Sequence, residues 1–563
     1  MPRFSLPAWQ DLLLAAVVAV LATLVFLPGL KWGLPNAKLA DQCFPAGKTP
    51  WTGAQILKLT PGWGTPKAPA TPAPTATPAA DVDRDPAASA WLNETDAQRA
   101  QIVMRYRLYS HQPDEMLTFR AMAGMLPGSL RLDPRMYHYG GLWIYPVGGL
   151  IKVADFADLV TVSHDLSIYL DHPALFADFY IVARCYTLLF VALGAVAAFT
   201  LARVMGVGRV WAVLTAALWC ATPAVIAFGH EAKPHLPALS LSLWCITAAA
   251  AGRWKTSATF AGLAAAMLPS AGVVVLVPIT YVVLWHAPWC TCNHLLLRRD
   301  SVWRTLAVVA IAVGVYLLLN PYVLLNLPTA LSNSANVASA YGLASPLAVV
   351  AAAAWKLSEA TSRLTLIAAT CALAAILYWR RHEQMRPLAG LLALTAPAAL
   401  TATIVAAIFT ANSPPDTARF FLLPSAIAVL MLMLTAATLM PQWWKRGLLL
   451  VLVATPQLVH SGAYLRAFLA DTHPTTTRAV AAEQINRAIR EQGVTTVIVP
   501  NDLAPYAVPP INLWDAKILL KTPGTTPTPN DAEIVAPPFH SVTPMTHASR
   551  LFLVRMNGVS PPQ

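Results

Sequence analysis

Three short stretches of the chain gather side chains able to move protons or hold an anion. Tyr109 to Tyr145 reads YSHQPDEMLTFRAMAGMLPGSLRLDPRMYHYGGLWIY, with the adjacent acids Asp114 and Glu115 directly after Pro113 and ahead of an apolar-periodic run. A carboxylate there can accept a hydroxyl proton, or it can simply occupy the first turn of a helix, where the helix dipole favours acids. His230, Glu231, Lys233 and His235 crowd a turn between two apolar runs. Ionisable groups that close to hydrocarbon are costly and commonly line a cavity or substrate path; solvation in the loop is the plainer reading. Pro415, Asp416 and Arg419 form a third group, and Arg184 stands inside an apolar run, either facing a polar cavity or snorkelling to the interface. Together, acids and cations would serve a transfer in which a carboxylate takes an acceptor's proton while Lys and Arg hold a leaving anion.

The elements that position these groups follow from composition. Of the 563 residues 56% are hydrophobic and only 12% are charged, and the mean hydropathy is +0.53, which leaves too little polar surface for a single soluble globule. A helix needs about 20 apolar residues to cross a bilayer, and runs of that kind recur from Leu12 to the neighbourhood of His460, predicting about eleven spans. The net charge of +12 does not point to nucleic acid, because much of the Lys and Arg falls in short loops between apolar runs, as the positive-inside rule describes.

With Arg3 inside, the run Leu12 to Leu27 reads as an uncleaved first span, since no small-x-small cleavage site precedes Pro28, Gly29 and Lys31. Residues 29–178 then form one large external loop, interrupted by the Pro/Ala/Thr tract Lys67 to Ala80, which cannot build a core. Basic residues Arg203, Arg209, Arg253, Lys255, Arg298, Arg299, Arg304, Arg380, Arg381, Arg386, Lys445 and Arg446 mark the inside loops. The stretch Ala258 to Trp285 is broken by Pro269 and Ser270 and predicts two short or re-entrant helices. The fold class expected is an all-α polytopic membrane protein, with residues 1–465 as the membrane domain and 466–563 as a small external α/β appendage. In the appendage, Thr477 to Gln492 has the spacing of an amphipathic helix, and Val494 to Val499 and Arg550 to Arg555 read as strands. All three candidate stretches and Arg184 fall on the external face.

Cys185, Cys220, Cys245 and Cys371 lie within apolar runs, Cys43 lies in the external loop, and the reading is core-packing thiols rather than a disulfide framework. Cys290-x-Cys292-x-His294, with His286 nearby, offers zinc-type ligands at irregular spacing on the opposite face. Asn93-Glu94-Thr95 matches a glycosylation sequon, a pattern common by chance.

The order of short motifs brings a family into view. GLP near the end of the first span, H-x-P-D-E at His111, L-x-P-R-x-x-x-Y, a YP element, H-E-A-K-P, N-P-Y and A-R-F-F-L-L-P together resemble the membrane-embedded glycosyltransferases of the GT-C fold, in the bacterial branch related to protein O-mannosyltransferases and aminoarabinose transferases. The resemblance runs from about Trp32 to Pro424. It implies a polyprenyl-phosphate sugar as donor, a protein, glycan or lipid acceptor, and a site outside the bacterial cytoplasmic membrane, where the C-terminus would also lie. Asp114 takes the place of the catalytic acid, with Glu115 beside it; His111 and Tyr139 would line the pocket, and Arg184, Lys233 and Arg419 would hold phosphate. The family's turn commonly ends in an acid where this chain has His235, and Glu231 would cover that role. Some branches use a divalent cation and others use none. Two other readings stay open: a transporter or lipid flippase, for which internal repeats and midplane charges are expected, and a noncatalytic membrane scaffold.

Overall fold

The computed structural model describes residues 9–61, 90–284, 299–339, 345–411, 413, 415–472, 477–494, 496–500, 510–521, 532–534, 545 and 552–554. Arg3, the tract Lys67 to Ala80, and His286, Cys290, Cys292 and His294 lie outside the described residues. The chain divides into two compact units, one made of Met1–Pro28, Met125–Gly149 and Ala183–Leu465, the other of Gly29–Gly124, Leu150–Val182 and Arg466–Gln563.

The first unit is helical and built for a bilayer. Among the described residues six helices are long and apolar enough to span: Trp9–Phe26, Pro173–Val204, Asp300–Leu319, Glu383–Thr410, Thr417–Leu439 and Trp443–Ala470. Two further pairs pass only if each is one bent span, Arg209–Cys220 with Pro223–Gly229 at 61° and Pro346–Thr361 with Arg363–Trp379 at 107°. The count therefore falls short of the apolar runs, because several runs fold as short or broken helices. Pro269 has no N–H to continue a helix, and the run around it becomes Trp254–Met267, a 3-10 segment Pro269–Val275 and Leu276–Leu284. At Ser362 the backbone turns left-handed, with φ at 87°, and the chain changes direction there.

Close approach of helices rests on small residues, as expected where hydrocarbon gives no net drive to associate. A Cβ on Gly194 would lie 2.5 Å from the Trp219 ring and 2.6 Å from Ser240 Oγ, and one on Gly262 would lie 2.6 Å from the Ala312 carbonyl oxygen. Threonine and serine hydroxyls inside the spans donate back to carbonyls one turn earlier, as Thr215 does to Trp211 at 2.8 Å and Thr435 to Met431 at 2.7 Å. Bonded in this way, these hydroxyls are not left to hydrocarbon.

The second unit carries a five-stranded sheet in the order β1-β3-β2-β5-β4, where β1 is Ala90–Trp91, β2 Thr496–Pro500, β3 Lys517–Lys521, β4 Ala532–Ile534 and β5 Phe552–Val554. Only β2 and β3 pair in parallel; β1 adds to β3, and β5 to β2, antiparallel. The amphipathic helix Thr477–Gln492 buries Ala482 and Ile485 completely. Residues expected in a first loop and in a separate appendage thus share one unit, since β1 from the loop completes the C-terminal sheet. The loop itself is largely helical. Thr52 and Thr95 begin Gly53–Leu59 and Asp96–Leu108 with capping boxes closed by Gln55 and Gln98. Asp165 caps Leu166–Asp171, and the hydrogen bonds from Ser167 hold its carboxyl below the usual carboxylate range.

Asn93 is a buried, hydrogen-bonded residue in the fold. It is 3% exposed, its Nδ2 donates to the Leu513 and Ala516 carbonyls at 2.8 and 2.7 Å, and its Oδ1 accepts from Ile518 N at 2.8 Å. Thr95, the other half of the sequon, is a helix cap. Replacing Asn93 by Ala removes the side-chain partner of the Ala516 carbonyl and the Ile518 N–H and one of two donors to the Leu513 carbonyl, so Asn93→Ala should destabilise this unit by roughly 2–4 kcal/mol. Limited proteolysis and amide exchange over residues 510–521 check this: release of that segment is expected, and unchanged protection contradicts it.

Candidate functional site

Within the helical unit, the turn after Pro223–Gly229 places four ionisable residues at the start of the His235–Ala250 helix. Glu231 and Lys233 form an ion pair, Oε2 to Nζ 3.3 Å, in which the side chains are 0% and 1% exposed. Loop solvation is excluded by that burial. The turn is fixed from both sides: the Lys233 N–H donates to the Glu231 carbonyl at 2.9 Å, and Thr187 Oγ1 donates to the same carbonyl at 2.9 Å. Thr187 lies one turn beyond Arg184, which is fully buried in Pro173–Val204 and near enough to His230 to act on it electrostatically. Arg184 does not snorkel to solvent. His230 spans from the Ile226 carbonyl, 2.8 Å from Nδ1, to the Pro28 carbonyl, 3.0 Å from Nε2, and stacks on Phe26 at 5.3 Å. It holds the turn rather than offering a free imidazole. Gly229 permits this packing, because a Cβ there would lie 2.4 Å from the Phe26 ring.

Aromatic rings continue from this turn. His235 meets Tyr139 edge-on at 6.1 Å and Phe420 at 5.6 Å, His138 lies against Tyr139 at 5.1 Å, and the Arg419 guanidinium sits 5.2 Å from the Phe420 ring. Tyr139, His235 and Arg419 are therefore gathered by the 3-10 segment Pro415–Phe421. That segment is tethered by Lys356, 1% exposed, whose Nζ donates to Thr417 Oγ1 at 2.6 Å and also to the Thr410 carbonyl. No local signal in the sequence singled out Lys356. The side chain of Asp416 lies outside the described residues.

Beside Tyr139 the chain is pinned by backbone contacts that only glycine allows. Gly140 N donates to the Met267 carbonyl at 3.1 Å, and Gly141 N to Asn320 Oδ1 at 2.6 Å; a Cβ on either would fall 1.8 Å from the Ala266 carbonyl oxygen or 2.1 Å from that of Leu319. Asp133 accepts from Tyr137 at 2.8 Å and from Asn326 at 3.0 Å. Burial pushes the Tyr145 phenol up to about 12, and burial with the Asp133 carboxylate pushes Tyr137 up as well. Both stay neutral near pH 7 and neither is a base there.

Within the second unit, His111, Asp114 and Glu115 are brought together. Asp114 stands at the N-cap of Glu115–Ala123, but in a helical conformation and with no side-chain cap hydrogen bond. Capping therefore does not account for it. Glu115 is fully buried, and its Oε2 accepts from Ser110 Oγ, which in turn accepts from the Gln112 N–H at 3.2 Å. His111 Nδ1 lies 3.4 Å from Asp471 Oδ2, while the His111 N–H donates to the Gly33 carbonyl at 2.7 Å and Gly33 N to the Asp471 carbonyl at 3.1 Å. Gly33 has φ of 56°, and a Cβ on it would sit 2.6 Å from His111 Cβ. The sequence singled out His111 but not Asp471, 360 residues away. Cys43 is a buried thiol pushed up by that burial, which makes it inert. Among the described residues no three His, Cys, Asp or Glu side chains are grouped to hold a metal ion.

The buried pair sets a stability test. Lys233→Met removes one partner of a buried ion pair and should cost about 3–5 kcal/mol, whereas Glu231→Gln with Lys233→Met removes both charges and should recover most of that loss. Thermal unfolding in detergent measures it; a double variant as unstable as the single one contradicts the pairing. No family model, curated protein or solved structure matches this chain, so the reading of its function rests on the residues described above.

Proposed function

We propose that the chain is a multi-pass membrane glycosyltransferase that moves a sugar from a polyprenyl-phosphate donor to a hydroxyl acceptor at the external face of a bacterial cytoplasmic membrane. The observation that carries this reading is the buried set Arg184, Glu231 and Lys233, continued by Tyr139, His235, Phe420 and Arg419, inside a unit whose other surfaces are apolar helices. A lipid-linked sugar phosphate needs those three properties together: hydrocarbon for the tail, cations for the phosphate and aromatic rings for the sugar. The acceptor oxygen bonds to the anomeric carbon as the carbon–oxygen bond to phosphate breaks, inverting that carbon. The acceptor proton passes to a carboxylate, and polyprenyl phosphate leaves against Lys233, Arg184 and Arg419.

Asp114 is the proposed base. Support comes from its own unit, where it is half-buried, follows Pro113 and does not cap its helix. Glu115 is engaged by Ser110 and has a structural part. No residues are assigned to a divalent cation.

A second reading, a transporter or flippase for such a lipid, draws on the spans bent by 61° and 107° and on Lys356, buried in the second of them. Release of labelled sugar from a panel of polyprenyl-phosphate donors, in nanodiscs that hold wild type or Asp114→Asn, separates the two. Transfer or hydrolysis by wild type, reduced at least about 100-fold in a folded Asp114→Asn protein, is the expected result. Equal rates remove Asp114 from the chemistry. Donor movement across vesicles with the sugar intact favours transport.

A further inference from the structure

The Trp443–Ala470 helix presents most of its surface outward, with only 22% of its apolar window buried. Yet its narrow inward stripe is polar at mid-length: Gln457 is 0% exposed, Ser461 5% and Tyr464 0%, with His460 between them. A span that turns polar groups inward answers a need of its neighbours, and here the need is visible. Where Arg209–Cys220 gives way to Pro223–Gly229, the Thr222 N–H bonds to the Trp219 carbonyl at 3.0 Å instead of continuing the helical ladder, so the Leu218 carbonyl loses its backbone donor and accepts from Thr222 Oγ1 at 3.2 Å. Gln457 Nε2 donates to that carbonyl at 2.7 Å and to Thr222 Oγ1 at 3.2 Å, while Ser461 Oγ donates to the Ala221 carbonyl at 2.5 Å. The same Gln457 reaches a second break. Its Oε1 accepts from Thr365 Oγ1 at 3.0 Å, and Thr365 Oγ1 pairs with Ser362 Oγ at 2.8 Å, at the 107° bend. One turn along, His460 Nε2 lies 3.5 Å from Glu359 Oε2, just before that bend.

We infer that Gln457 is a positioning residue that couples the two helix breaks and, through them, sets the placement of the proposed donor-phosphate site. One break leads through Pro223–Gly229 directly into Glu231 and Lys233. The other ends the Pro346–Thr361 helix, whose Lys356 holds Thr417 and the segment that bears Arg419. A single amide whose donor serves one break and whose acceptor serves the other cannot be optimised for one without registering the other. The coupling stands on the geometry alone; its consequence for donor binding rests on the glycosyltransferase reading.

The test uses the full chain in nanodiscs with Gln457→Leu and the milder Thr365→Val. Amide exchange is read over 218–226 and 360–367, and binding of polyprenyl phosphate is measured in parallel. Gln457→Leu should speed exchange about tenfold at both breaks, in line with a buried polar group left unbonded. Thr365→Val touches only the second break, yet the coupling requires faster exchange over 218–226 as well. Unchanged exchange there overturns the coupling, and this holds even if Gln457→Leu fails to fold. Wild type should bind polyprenyl phosphate, and Thr365→Val should bind it several-fold more weakly. Equal binding with both breaks loosened overturns the positioning role. Absent binding by wild type, with coupled exchange intact, instead sinks the donor reading and leaves the coupling.

Discussion

Inside hydrocarbon a peptide carbonyl without a partner has no water to turn to, and each such group costs several kcal/mol. This constraint organises the helical unit. The chain breaks its helices after Cys220, at Pro269 and at Ser362, and each break releases backbone groups. Several of the polar residues buried in this unit serve the breaks or the turn they lead into: Thr222, Thr365, Gln457 and Ser461 at the bends, and Thr187 and His230 at the turn. Unbroken spans could have carried the chain across the bilayer with no such residues. The breaks have another consequence. They bring a charged turn, Glu231 to His235, fully out of solvent within a few residues of chain.

A buried ion pair is weak evidence for stability, because desolvation of both charges is seldom recovered in full. Stability alone therefore does not account for Glu231 and Lys233. The same argument extends to Arg184 and Lys356, two more cations buried in the helical unit. The two differ in what surrounds them. Lys356 ties down a neighbouring segment through Thr417, which gives it a structural part, whereas Arg184 stands one turn from the residue that fixes the Glu231 carbonyl. The second unit follows the logic of soluble proteins: its helices are capped by Thr52, Thr95 and Asp165, and its buried polar groups, Asn93 and Arg107 among them, reach backbone carbonyls.

Local pattern made part of this legible. Apolar runs of span length, the proline break at Pro269, the amphipathic helix Thr477–Gln492 and the strand that begins near Thr496 all express periodicity or punctuation within a few residues. So did the charged turn at His230, since four ionisable residues between apolar runs are conspicuous at any resolution of reading. What escaped depended on partners far away in the chain. The role of Asn93 required residues 513–518, His111 required Asp471, and Gln457 required carbonyls at Leu218 and a hydroxyl at Thr365. The polar stripe Gln457, His460, Ser461, Tyr464 does have helical spacing, at intervals of three, four and seven residues. That was the available signal, hidden by the hydrophobicity of its surroundings. Span number was the least legible quantity, because hydropathy cannot tell a crossing helix from a bent one.

The proposed function depends on where a lipid phosphate meets the chain. The most direct measurement is photo-crosslinking of the protein in nanodiscs with a polyprenyl phosphate that carries a photoactivatable group on its first isoprene unit, mapped by peptide mass spectrometry and competed with unlabelled lipid. Competed crosslinks to residues 227–236 and 417–421 are the expected result. Crosslinks spread over the outward faces of spans such as Trp9–Phe26, and not displaced by unlabelled polyprenyl phosphate, would contradict it.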